Sequence, residues 1–463
     1  MTTTSADRRR QQRAWYVYDW ANSSFYTTVM AVFGSLYLSS VAAADARTDV
    51  ARNGPVPCVG ADGVASTLER CDISLFGLHF PAGSLWGYLL AGATVIQVLV
   101  FPVLGAVADR SAHRRGLLAG FALTGAVAIA LMFFLAGTNW EFGVVMFVVA
   151  NIGYGGSIVV YYSFLPDIAT PDERDAVSTR GWAFGYLGGG IALAFQLAFY
   201  LTRDSFGVSQ ELAVRICFLT TGLWWAAFTL VSVRGLPERP AAAPRPSSAV
   251  TSGFAELRDT LRGARAFPLT LAFLGSYLIF TDGINTVVTV SAQYGQEELG
   301  FANEILIVTI LVIQFVAYFG GMAHGFAARR FGAKRTILAS LAVWVLVLIG
   351  AYFVQAGSAP QFYAVAVGIG LVLGGTNALS RSLFSQMIPA GKQAQYFALY
   401  EVGERGTSWL GPLLVAVIGQ VTGSFRLAIL ALILFFAIGF VLVWLIPVRR
   451  AIAAAGNREP SVV

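Results

Sequence analysis

The chain has 463 residues, of which 56% are apolar or aromatic and 12% are charged, with a mean hydropathy of +0.67. Charged residues run at about half the roughly 25% of an average soluble protein, which excludes an aqueous fold of several domains and implies a polytopic α-helical membrane protein whose apolar surface the bilayer takes up. The net charge of +6 is spread between the apolar runs, so it argues against a nucleic-acid partner; distribution matters more here than the sum.

Apolar runs bounded by charges or turn residues predict spans at 14–41, 82–108, 116–136, 140–165, 180–201 and 213–233, then at 267–291, 302–328, 335–355, 360–388, 394–420 and 425–447. Each is long enough to cross a bilayer core, which needs about 20 residues. The first run follows Arg8, Arg9, Arg10 and Arg13 and ends near Ala42-Ala43-Ala44, like a cleaved leader. It is too long for one and carries Asp19 and Asn22, so it reads as a retained first helix. The break from Arg234 to Ala266 holds Pro237, Pro240, Pro244 and Pro246. It divides the chain into a six-helix half at 1–233, a solvated linker at 234–266 with a short interfacial helix from Phe254, and a second six-helix half at 267–463.

With the N-terminus inside, the inner segments carry 23 lysines and arginines and the outer ones 5. That asymmetry predicts that both termini and the linker are cytoplasmic. The longest outer segment, Ala42 to Phe80, holds Cys58 and Cys71 on the oxidising side. They are read as either two thiols or a disulfide contributing roughly 3 kcal/mol. Cys217 reads as a packing residue. No CxxC or Cys/His cluster points to a metal, and no cofactor motif is present.

The turn after the second span reads Gly105-Ala-Val-Ala-Asp109-Arg110-Ser-Ala-His-Arg114-Arg115. The turn after the eighth reads Gly325-Phe-Ala-Ala-Arg329-Arg330-Phe-Gly-Ala-Lys334-Arg335, an offset of 220. Two such charged turns at matching places in two six-helix halves indicate a parallel repeat. The first copy resembles the G-x-x-x-D-R-x-G-R-R loop of the major facilitator superfamily, departing at Ala112; Arg329 replaces the aspartate in the second. Further strings are Tyr18-Asp19-Trp20-Ala21-Asn22, Phe164-Leu-Pro166-Asp167, Arg180-Gly-Trp-Ala-Phe-Gly185 and Gly374-Gly-Thr-Asn377-Ala-Leu-Ser-Arg381. They resemble the branch that holds the autophagy-linked vacuolar amino-acid effluxers and their bacterial relatives, although Asn377 stands where that branch is expected to have glutamine. The resemblance implies an all-α membrane protein of twelve helices in two pseudo-symmetric six-helix bundles. It also implies transport of a small solute such as an amino acid, by efflux and alternating access, facilitated or proton-coupled. Helices one, four, seven and ten would line the cavity.

Ionisable groups inside spans are costly and so are functional candidates. Asp19, Asn22, Ser23 and Tyr26 share one face of the first helix, and Asp282, Asn285, Thr286 and Thr289 repeat that spacing on the seventh. Asp19 lies roughly 9 Å into its helix and Asp282 roughly 22 Å, which favours Asp282 as the midplane residue and makes the echo a coincidence. Glu401 and Arg405 are spaced i, i+4 as an internal pair, which leaves Glu404 the carboxylate without an evident partner and a proton site. Arg381 reads two ways, as a partner for a solute carboxylate or as a neutralising partner of Asp19 or Asp167. On this reading Asn151, Tyr154 and Tyr161 supply neutral contacts to the solute, Asp282 meets an ammonium, and Gly105, Asp109, Arg110, Arg114 and Arg115 form a gating loop. Gly181, Gly185 and Gly189 on the fifth helix and Gly321 and Gly325 on the eighth read as positions that let helix backbones approach closely, and the resemblance implies that these two helices meet across the two halves. The expected partners are the solute, protons and the bilayer, for a monomer in a bacterial plasma membrane. A sensor or scaffold that keeps the fold is the alternative, and a membrane-embedded enzyme a more remote one, because HExxH, GxSxG and P-loop strings are missing.

Overall fold

A computed structural model describes residues 5–53, 71–75, 77–238 and 262–462. Cys58 and the helix expected from Phe254 lie outside the described residues. Helix α1 runs from Ser5 to Ala46 and passes through wider π-helical turns at Phe25–Phe33. It is followed by a small hairpin of β1 (Asp72–Leu75) and β2 (Leu78–Pro81), an element the apolar pattern does not announce. Asn53 anchors the hairpin by bonding the backbone of Asp72 and Ala46, and Cys71 beside it is disulfide-bonded.

The remaining helices of the first set are α2 (Leu85–Arg110), α3 (Arg114–Leu131), α4 (Trp140–Ser163), α5 (Arg174–Thr202) and α6 (Gln210–Val233). The second set is α7 (Pro268–Gln293), α8 (Asn303–Phe331), α9 (Ala333–Tyr352), α10 (Ala359–Gln386), α11 (Gln393–Thr407), α12 (Leu410–Thr422), α13 (Phe425–Leu445) and α14 (Val448–Ala454). Among the described residues, eleven helices are long and apolar enough to cross a membrane. The predicted eleventh span is the exception, because it is divided into α11 and α12. Proline explains the division: the ring of Pro412 crowds the carbonyl four residues earlier, that of Ser408, and the helix stops there. Asp282 of α7 then accepts from the backbone N–H of Gly411 at 2.7 Å, supplying the cap that α12 lacks locally.

Within the first set α1 packs on α5 and α6, and α3 on α4 and α6; within the second α10 packs on α8 and α9, and α13 on α7 and α9. Two seams join the sets, α5 against α8 and α10, and α2 with α4 against α11. Helices α5 and α8 meet across the sets, but Gly181, Gly185 and Gly189 do not make that contact. A Cβ at Gly181 would collide with Trp15, and one at Gly189 would lie 2.8 Å from Thr27, so these glycines seat α1 on α5. Gly321 and Gly325 do face the other set, against Ala183 and Thr179. The pattern shows which positions permit close approach, and leaves open which neighbour takes advantage of it.

A candidate solute cavity and its gate

The site begins with the aromatic opening of α1. Trp15 stacks on Tyr161 of α4 at 4.4 Å, and one turn later Asp19 accepts from the Tyr161 hydroxyl at 2.6 Å. Arg381 of α10 points at the same carboxylate, with Nη1 3.8 Å from Asp19 Oδ2. Arg381 is 1% exposed and its guanidinium lies against four rings: Trp15 and Tyr162 at 4.7 Å, Trp182 at 5.6 Å and Tyr161 at 5.9 Å. Rings facing a desolvated guanidinium stabilise it by their quadrupoles. Its Nε and Nη2 donate to the hydroxyl and carbonyl of Ser178, both at 2.9 Å, whereas Nη1 is buried with no hydrogen-bond partner. Of the two readings of Arg381, the pairing with Asp19 is the one present; Asp167 is taken by Arg114 at the end of α4.

A second group lies on α11. Glu401 is bonded to Arg405, whose Nε donates to Gln97 Oε1 of α2 at 2.5 Å and whose guanidinium lies 5.0 Å over Phe101. Gln97 in turn donates to the carbonyl and side-chain oxygens of Asn151, and Asn151 reaches the Met30 sulfur at 3.9 Å. Glu404 is hydrogen-bonded by neutral groups: it accepts from the Tyr277 hydroxyl at 2.7 Å and from Asn285 at 3.4 Å. Tyr277 is stacked on Tyr400, centroids 4.2 Å apart. Tyr26 is 46% exposed although Tyr154, Tyr186 and Glu404 surround it, so its ring looks into an internal space that water reaches. Tyr154 packs on Phe25, and Asn377 accepts from Thr281 at 3.2 Å.

The structure therefore brings together Asp19, Tyr26, Tyr154, Tyr161, Arg381, Glu401, Glu404 and Arg405, with Asn151 and Asn285 at the edges. Asn22 sits beside this group, buried with its Nδ2 unbonded. Asp282 does not join it, because its carboxylate is buried under the first turn of α12. Gln97, Ser178 and Trp182 were not among the expected site residues. A glutamine in the middle of an apolar run was the visible signal for the first.

At the end of the molecule that carries the N- and C-terminal segments the two sets are fastened. Ser178 donates to the Ala378 carbonyl at 2.6 Å, Ser382 to Asp175 at 2.6 Å, and Arg174 to the Ser385 carbonyl at 3.1 Å. Asp109, closing α2, accepts from the backbone N–H groups of Ala394 and Gln395, both at 2.9 Å. A carboxylate at those first-turn donors also meets the positive end of the α11 dipole. Gly105 allows the approach, since a Cβ there would lie 2.7 Å from the Ala394 carbonyl oxygen. Arg114 is buried on Asp167, Ser163 and the Phe164 ring, Arg115 pairs with Glu238 at 2.9 Å, and Arg110 ends α2 in an exposed position. Arg115 holds the Glu238 carboxyl below its usual range by hydrogen bond and charge. Among the described residues, no group of His, Cys, Asp and Glu is arranged to hold a metal.

Comparison with known proteins agrees with this architecture. Residues 7–456 match the family described as "Vacuole effluxer Atg22 like". An uncharacterised MFS-type transporter of Bacillus subtilis (strain 168), YxiO, is 29% identical over 441 residues, covering 95% of each chain. Among solved structures, the human organic anion transporter MFSD10 (TETRAN) superposes with a TM-score of 0.66 at 16% identity, covering 94% of this chain and 99% of that one. The major facilitator superfamily transporter FucP superposes with a TM-score of 0.59 at 12% identity, covering 90% and 99%. With the family matched over nearly its whole length and the fold shared with these transporters, the chain belongs to the Atg22-like family of the major facilitator superfamily and is an integral membrane transporter, not an enzyme.

Proposed function

We propose that the protein exports a small zwitterionic solute, such as an amino acid, across a bacterial plasma membrane by proton-coupled alternating access. The observation that carries this reading is the Arg381 Nη1 donor, buried without a hydrogen-bond partner and 3.8 Å from Asp19, in the cluster that also holds the half-exposed Tyr26. A solute carboxylate would satisfy that donor. The solute ammonium would go to Glu404, whose partners are neutral, and not to Asp282, whose carboxylate caps α12. Both solute charges need partners, because an unpaired charge in a low-dielectric cavity is costly. Asp19, Glu401 and Glu404 against Arg381 and Arg405 leave one negative charge over; a zwitterion adds no net charge, so a proton would balance it. The family description as effluxers supports export.

On this reading the halves 1–233 and 267–463 rock about the linker. The fastened end faces the cytoplasm, as the 23-to-5 distribution of basic charge implies, and the cavity opens outward. Asp109 then acts as a gate fastener and stays out of the solute site. The protein works as a monomer in the bilayer, without a cofactor. Cysteines placed at 245 and 62 should label from the cytoplasmic and outer sides respectively; labelling from one side would overturn the orientation.

The central test is uptake of radiolabelled amino acids into proteoliposomes with an imposed pH gradient. Arg381→Gln and Glu404→Gln should each lower uptake at least about tenfold, the loss of a charged hydrogen bond. Undiminished uptake in both variants rejects the site, and uptake indifferent to the gradient rejects proton coupling.

A further inference from the structure

Helices α2 and α11 run antiparallel in one register. Asp109 bonds at Ala394 and Gln395, Gly105 faces Ala394 and Ala398, and Gln97 meets Arg405. Twelve residues separate Asp109 from Gln97, so the Gln97–Arg405 contact lies about 18 Å deeper than the one at the membrane edge. The seam stops there, since three residues beyond Arg405 the helix breaks at Ser408. The deep contact is built with care: Gln97 is 1% exposed, its amide is fixed by Asn151 of α4, and Gly155 of α4 leaves room for Phe101 and Arg405.

The two contacts differ in what they respond to. The edge contact is a carboxylate on backbone amides. In the deep contact the guanidinium is aimed by Glu401: Nη1 bonds the Glu401 carboxylate and its carbonyl, which leaves Nε directed at Gln97. Glu401 also faces Glu404 on its own helix, Arg381 of α10, and Tyr154 and Tyr162 of α4. Helix α7 brings Tyr277 behind Tyr400, α1 brings Asp19 and Tyr26 to the same cluster, and α2 brings Gln97 and Phe101 at this depth.

We infer that Gln97 is a coupling residue, through which the protonation state of Glu401 sets the release of the α2–α11 seam. This inference rests on the proton coupling proposed above. With Glu401 ionised, Arg405 is held in register and its Nε engages Gln97, so the seam stays closed. A proton from the solvent, forming an O–H bond on Glu401, removes the charge that aims the guanidinium. Arg405 then leaves Gln97 and the seam opens from its deep end. The Arg405 bond favours the ionised carboxyl and is present only while the seam is closed, so on this scheme its loss on proton binding and the opening of the seam favour each other by linkage.

The test uses spin labels on cysteines at His113 and Lys392, which flank the fastened end on opposite sets, in the full chain with Cys217→Ser. Inter-label distances are read from about pH 8 to about pH 5.5, a window wide enough to titrate one group. In the wild type the long-distance fraction should rise at least about threefold on acidification, a coupling of ordinary size. Gln97→Met keeps the side-chain bulk and removes the acceptor; it should show the long distance already at high pH, with the pH response lost. Glu401→Gln should do the same, and Gln97→Glu, which pairs Arg405 directly, should stay closed to lower pH. A wild-type pH profile in Gln97→Met, or a flat profile in the wild type, overturns the inference. The readout needs no solute. Gradient-driven uptake combined with an unresponsive seam therefore sinks this inference alone, while uptake indifferent to the gradient sinks the function it rests on.

Discussion

The α5–α8 contact and the α2–α11 contact between the helix sets are made of different materials. Where α5 meets α8, Thr179 and Ala183 lie against Gly321 and Gly325, small side chains at backbone distance with no titratable group among them. Where α2 meets α11, a glycine contact is bracketed by two polar fastenings, Asp109 on backbone amides and Gln97 on Arg405. Close packing of small residues is strong in sum and insensitive to pH or ligands. Charged hydrogen bonds are fewer and individually adjustable. The difference suits one seam to keeping the sets together during a rocking motion and the other to parting.

The comparison can be broken by making similar changes on both sides. Gly325→Val drives a side chain into Thr179 and should destabilise the fold by about 2–3 kcal/mol, seen as a lowered Tm in detergent at every pH. An unchanged Tm would mean that α5 and α8 are not tightly packed. Gly105→Val crowds Ala394 and Ala398 on the other seam by an amount worth about 1–2 kcal/mol. Its effect should appear as a shift to the released state, read as faster maleimide reaction of a cysteine at Ala398, with the Tm nearly kept. Equal Tm losses for Gly105→Val and Gly325→Val would erase the distinction between the seams.

Asp109→Ala removes a charged cap and should shift the same labelling by about 1 kcal/mol, several-fold in rate, while ligand affinity in a fixed conformation stays unchanged. A tenfold loss of that affinity would move Asp109 into the solute site. The smallest effect belongs to the loop before α5. The Ser461 N–H bonds Asp172 at 2.5 Å and holds its carboxyl below the usual 3.8, with Arg458 contributing in the same direction. A carboxylate with a depressed folded pKa stabilises its contact above the ordinary value and loses it as the pH falls through the depressed one. Hydrogen exchange at the Ser461 amide should therefore quicken, relative to neighbouring amides, only on acidification below that value; the same acceleration near neutrality would show that Asp172 does not hold it.

Most of the architecture was legible because span length is a local property of sequence. The first helix and the Asp109 turn could be placed from runs of a few dozen residues. What escaped depends on distant partners. Gln97 meets Asn151 and Arg405, which lie 54 and 308 residues away. Asp282 reads as a midplane charge, and only the packing of α7 on α12 turns it into a cap. The break in the eleventh span had a local mark, Gly411-Pro412, overshadowed by the apolar run that follows. The glycines of α5 were visible as a stripe, but a stripe does not name its neighbour, and α1 took it.

The rings around Arg381 have a use outside transport. Two of the four are indoles, Trp15 and Trp182, among ten tryptophans in the chain. Indole emission responds to a charge held a few ångströms away, so whatever neutralises or displaces that guanidinium alters the light the protein emits. The chain thus contains its own optical indicator at the residue on which its function is argued. Unlabelled compounds can be screened by intrinsic fluorescence, with Trp15→Phe and Trp182→Phe identifying which emitter responds.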